Sequence, residues 1–237
     1  MIIGDRMQNK FYKFLAGLFY LLSFFLLVFS IKVKQINGVD LNINFRLVIL
    51  FLICILIYIS GFILNKKLNY DKKILKINLI IYFLIYTFLV FSLTLFDEIY
   101  NRQGLVLVNW NKDLLKSYLN TSFNIVPFRT IKLFIEGYIN GYVNFKNFCI
   151  NILGNLFAFM PCALFIPILF KKVNKYYKFL IILVISVVLI EILQFITMSG
   201  SCDIDDLILN IVGATIAYYI LKIKFINKLI HKVFLFE

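Results

Sequence analysis

Long apolar runs fix what this chain can become. Phe11–Ile31, Leu47–Leu64, Ile77–Phe96, Phe148–Phe170, Phe179–Met198 and Asp206–Lys224 are built from Ile, Leu, Phe and Val with few charges among them. Runs of about 18 residues or more span the hydrocarbon layer as helices, since only helices and closed barrels satisfy their own backbone there. The expected fold is all-α: a polytopic integral membrane protein of about six transmembrane helices with a long outer loop. The 62% hydrophobic share agrees, lying well above that of soluble domains.

A net charge of +13 suggests an anionic partner, but the lysines flank apolar runs. That placement fits orientation signals and anionic lipid headgroups, and gives no support to nucleic-acid binding. Most of the 25 Lys and Arg fall in the N-terminus, loops 65–76 and 171–178, and the C-terminal tail, while Ser199–Asp205 holds none. The positive-inside rule then predicts a multi-pass plasma-membrane protein with both termini cytoplasmic. The Asp97–Asn147 loop and the Ser199–Asp205 turn are expected outside. Arg6, Lys10 and Lys13 precede the first run, which is too long for a signal-peptide core and has no small-residue cleavage site after it. A retained anchor is the expectation.

Cys54, Cys149, Cys162 and Cys202 match no metal-site spacing, and a Cys149–Cys202 disulfide near the outer face is left open. The sole histidine, His231, sits among lysines in the tail. Its place there excludes His general bases, Ser-His-Asp triads and ordinary zinc sites.

Polarity concentrates in the second half. In the long loop, NKDLLKSYLN and FRTIKLFIEGYIN carry apolar residues at helical spacing beside charges, the pattern of interfacial helices. Between them Pro127 forces Val126 into extended backbone. In the fourth run Asn151, Asn155, Ala158 and Cys162 recur at helical spacing; the fifth carries Glu191 and Gln194; the sixth carries Asp206, Asn210, Gly213 and Ala217. With alternating run directions, all these polar groups reach one leaflet, where a charge costs at least about 2.5–3.5 kcal/mol unless it faces a partner or a cavity. They are expected to converge on an outward-opening polar pocket. Asp203, Asp205, Asp206 and Glu191 there need a cation, and Arg129, ahead of Lys132, is the expected one. The plainer alternative is a satisfied network that holds the last three runs together.

At these positions the chain resembles the VanZ-like family. The resemblance rests on NIVPF (Asn124–Phe128), GNLFAFMP (Gly154–Pro161), EILQ (Glu191–Gln194) and CDIDDLILNIVG (Cys202–Gly213), in that order. It implies a membrane domain over residues 76–225, with residues 1–75 as a two-helix addition and 226–237 as a basic tail. It also implies low-level resistance to teicoplanin, a lipoglycopeptide. The expected binding set is Arg129, Asn124, Pro127, Asn151, Asn155, Gln194, Asp203, Asp206 and Asn210. The expected partners are a membrane lipid, and a lipoglycopeptide or lipid-linked cell-wall component. An enzyme on such a precursor is the alternative, with Glu191 as general base and Asp203, Asp206 and Asn210 holding Mg²⁺ or another hard cation. A transporter is poorly supported, since no inverted repeat is visible.

Overall fold

A computed structural model of the chain describes residues 2–36, 43–68, 72–95, 108–173 and 175–234. In chain order these form α1 (Ile2–Ile36), α2 (Ile43–Leu68), α3 (Lys72–Leu95), α4 (Lys112–Thr121), β1 (Phe123–Asn124), α5 (Arg129–Ile139) and α6 (Phe145–Phe148). A π-helical turn, Cys149–Leu153, leads into α7 (Gly154–Ala158) and α8 (Cys162–Leu169). Then come α9 (Tyr176–Thr197), β2 (Cys202–Asp203), α10 (Ile204–Lys222) and α11 (Lys224–Phe234). Among the described residues six helical stretches are long and apolar enough to cross a membrane. The protein is an all-α polytopic membrane protein. The end of the third run at Phe96 and the first part of the long loop, residues 96–107, lie outside the described residues, as do residues 235–237 of the tail.

The chain divides into two compact units, one of Met1–Ile85 with Lys228–Glu237, the other of Tyr86–Asn227. In the first, Ile49, Ile53 and Ile57 form a buried seam on α2, spaced one turn apart, against Tyr20, Leu26 and Leu27 of α1 and Ile81 and Tyr82 of α3. Ser60 Oγ donates to the Ala16 carbonyl at 2.9 Å, and Tyr20 Oη donates to Asn78 Oδ1 at 2.7 Å. Asn78 fits only because Gly61 faces it: a Cβ there would sit 2.3 Å from Asn78 Nδ2.

The second unit is built on α9. Phe179, Leu183 and Val187 are spaced four apart and fully buried, packed with Phe159, Ala163, Ile166, Ala214 and Tyr218. The same face continues upward as Ile190, Glu191 and Gln194, all buried. One helix face thus runs from hydrocarbon packing into polar chemistry.

The fourth span is not the single regular helix that the Asn151–Cys162 spacing predicts. The π turn at Cys149–Leu153 shifts the helical phase, and α7 ends at Ala158. Pro161 has no N–H to continue the ladder, so the chain tightens: Met160 N donates to Phe157 O at 3.2 Å and Cys162 N to Phe159 O at 3.1 Å. Tyr86 Oη takes up the Ala158 carbonyl beside this break, at 2.6 Å. Close packing of α7 on α10 depends on Gly213, where a Cβ would lie 1.7 Å from the Leu156 carbonyl oxygen.

Candidate functional site

The three aspartates after Cys202 point in three directions: Asp203 is extended backbone ahead of the helix, and Asp205 and Asp206, consecutive in α10, are rotated by about 100°. Asp203 is the N-cap of α10 and accepts from its own Asp205 N–H at 2.8 Å. Its carboxylate also takes Asn124 Nδ2 at 2.8 Å and Thr130 Oγ1 at 2.5 Å, while its N–H donates to Glu191 Oε2 at 3.1 Å. Asp205 turns toward α5. Asp206 turns toward α7 and accepts from Asn155 Nδ2.

Asp205 is the fully buried member at 0% exposure. Helix α5 starts at Phe128, a residue with no capping side chain, held in the left-handed region at φ 64°. Its free N–H groups find their acceptor 74 to 77 residues away. Asp205 Oδ1 accepts from Phe128 N at 2.5 Å, and Oδ2 from Thr130 N at 2.7 Å and Ile131 N at 3.1 Å. A carboxylate at a helix N-terminus also complements the positive end of the helix dipole. Beside it, Asn124 Oδ1 accepts from Val126 N at 3.0 Å, closing a local turn. Phe123–Asn124 and Cys202–Asp203 pair as a two-residue parallel bridge.

Helix α4 fastens the other side of this junction. Tyr118 Oη donates to the Gly200 carbonyl at 2.9 Å, and Trp110 stacks on Phe195 with ring centres 5.1 Å apart. Burial pushes the Tyr118 hydroxyl up to about 12. The Cys202 thiol is pushed up to about 11, first by burial and then by the negative charge of Glu191, Asp203 and Asp206. A thiol so raised is a poor nucleophile at neutral pH.

Glu191, Asp203, Asp205 and Asn124 are therefore joined through one chain of hydrogen bonds, and Asp206 with Asn155 makes a second polar contact at the same helix start. Asn210 adds to it: its Nδ2 donates to the Asp206 carbonyl at 2.7 Å, while its buried Oδ1 has no partner. Other predicted residues sit apart. Gln194 donates to the Thr94 carbonyl at 3.1 Å, Asn151 donates to the Asn147 carbonyl at 2.9 Å, and Pro127 is exposed in the turn before α5. Arg129 is exposed, and among the described residues it forms no ion pair with any of the acids. Lys132 pairs with Glu136 at 3.6 Å. For Asp203 and Asp205, backbone amides, Asn124 and Thr130 take the place expected for the guanidinium. Both Asp203 oxygens are occupied by these donors, and no three His, Cys, Asp or Glu side chains among the described residues cluster to hold a metal. All four cysteines are free thiols, Cys149 and Cys202 included.

Asp205, Thr130 and Tyr118 complete the junction without having been singled out as site residues by sequence reasoning. The available signal was α5 itself, a helix whose start lacks Ser, Thr, Asp or Asn at the cap.

The four segments that meet here lie within residues 83–226, which match the VanZ/LLP1 family. The chain belongs to that family. A curated relative, Protein VanZ of Enterococcus faecium, is 32% identical over 97 residues, which is 41% of this chain and 50% of the relative. The chain spans about half the length of this curated relative. No solved structure matches the chain. In this VanZ/LLP1 member the motif segments are the ones that supply the junction: Asn124 from the first, Asn155 from the second, Glu191 from the third, and Asp203 to Asn210 from the last.

Proposed function

We propose that this VanZ/LLP1 protein contributes to low-level resistance to teicoplanin-type lipoglycopeptides. In this reading the Glu191–Asp206 cluster receives the polar part of an amphiphile, either the drug or a lipid-linked envelope component. Both termini lie in the cytoplasm and the cluster opens outward, as the basic loops argue. Supporting it is one observation: Asn124, Asn155 and Glu191, one from each of the other motif segments, all bond the Asp203–Asp206 start of α10. A polar network at this depth is costly beside apolar packing of the same volume, so its retention favours a role in binding.

The test is drug susceptibility of a sensitive host expressing the protein at equal membrane abundance of each variant. Wild type is expected to raise the teicoplanin inhibitory concentration several-fold, with less effect on a glycopeptide lacking the acyl chain. Glu191→Gln is expected to lose that protection. A Glu191→Gln protein that protects as well as wild type overturns the role given to the cluster. Orientation is read by a membrane-impermeant thiol reagent on Ser201→Cys in a cysteine-free background, where labelling of intact cells is expected.

A further inference from the structure

We infer that the turn and helix from Ile125 to Phe145 form a receptor for the anionic headgroup of a bilayer phospholipid, with Arg129 as its principal ligand. This surface adjoins the Glu191–Asp206 cluster through the bonds of Phe128, Thr130 and Ile131 to Asp203 and Asp205, but it does not rest on the resistance reading. Charge accounting leads to it. Asp203 and Asp205 are held by backbone N–H groups, Asn124 and Thr130, which leaves Arg129 without an internal anion to neutralise among the described residues. Its side chain is exposed at the start of α5 and has no acidic partner among the described residues.

The surroundings are unusual for a solvated arginine. Ile125 is 68% exposed, Phe128 63%, Leu133 58%, Ile139 73% and Phe145 63%, and no residue of α5 is buried. A soluble protein rarely leaves a patch of this size open. In a membrane protein the arrangement is that of an interfacial helix, apolar side chains below the headgroups and basic ones among them. Lys132 lies one turn from Arg129 but is paired with Glu136, so among the described residues of this turn and helix Arg129 carries the uncompensated charge. A guanidinium binds a phosphate through two parallel hydrogen bonds, which an ammonium does not match. The complementary occupant is a phosphodiester on a lipid whose net charge is negative.

The probe is a fluorophore on Ile125→Cys in the full chain with Cys54, Cys149, Cys162 and Cys202 replaced by Ala, reconstituted in nanodiscs. Brominated phosphatidylglycerol and brominated phosphatidylcholine are compared as quenchers at equal mole fraction. Phosphatidylglycerol is expected to be preferred by about fivefold, the effect of one basic residue at an anionic surface. Arg129→Gln is expected to abolish the preference, Arg129→Lys to keep part of it, and Glu136→Gln to increase it. The exposed position of Arg129 keeps the fold out of the comparison, and unchanged thermal unfolding verifies this. Equal quenching by both lipids in wild type overturns the inference, as does a preference that survives Arg129→Gln. Loss of the preference on adding inorganic phosphate at matched ionic strength assigns the site to a free anion and overturns the lipid assignment.

Discussion

Replacing Asp205 is the sharpest probe of how the long loop is held. Its carboxylate accepts three backbone N–H groups of the α5 start, and it is fully buried. Hydrogen bonds to charged groups contribute about 1.5–3 kcal/mol each, but water reaches a turn that frays, and removal of a single cap costs about 0.5–2 kcal/mol. For three donors and one dipole interaction lost together, Asp205→Ala is expected to weaken the local structure by about 3 kcal/mol. Asp205→Asn keeps one oxygen but turns an NH₂ toward N–H donors, and is expected to cost about 2 kcal/mol. Amide hydrogen exchange reads this directly. Exchange at Phe128, Thr130 and Ile131 is expected to accelerate roughly a hundredfold in Asp205→Ala, with the centre of α9 unchanged. Asp113→Ala, at the exposed first turn of α4, is the control. Exchange at these three amides within about threefold of wild type in both Asp205 variants would refute the assignment of Asp205 as the cap of α5.

Four further outcomes follow from the local surroundings of single residues. Phe128 at φ 64° pays a left-handed penalty of roughly 1–2 kcal/mol, so Phe128→Gly is expected to leave exchange at Thr130 unchanged or slower, and Phe128→Val to speed it about tenfold. Gly213→Ala drives a Cβ into the Leu156 carbonyl, a backbone atom that cannot step aside, and is expected to cost at least about 3 kcal/mol in thermal unfolding. Gly17→Ala, with nothing within 4 Å of the new methyl, is expected to be neutral or stabilising by up to about 1 kcal/mol. With Cys202 as the single cysteine, its raised pKa of about 11 predicts maleimide labelling that keeps climbing tenfold per pH unit through pH 10; a plateau near pH 9 would contradict it.

Hydropathy made the spans legible because each apolar run is self-contained: its length alone decides whether it crosses a bilayer. The approach of Asn155 to Asp206 was legible too, since helical spacing puts each on a predictable face. Arg129 was not, because counting charged side chains overlooks backbone donors, and the α5 N–H groups do the work assigned to its guanidinium. Asp205 was noticed only as a charge, since a role played against a helix start so distant in sequence leaves no local pattern. The break at Phe159–Pro161 was missed for a different reason. Composition there stays apolar throughout, while the cause is one absent N–H and the carbonyl beside it taken by Tyr86. The β1–β2 bridge is too short to show a period of two.

A double-mutant cycle between Asn155 and Asp206 tests the polar contact of α7 with the start of α10 most directly. Asn155→Ala, Asp206→Ala and the double variant are compared with wild type by unfolding free energy in nanodiscs. The side-chain bond between α7 and α10 predicts a coupling of at least about 1 kcal/mol, the double variant losing less than the two single losses together. Additivity within about 0.3–0.5 kcal/mol would mean that the two residues do not meet, and would contradict the account.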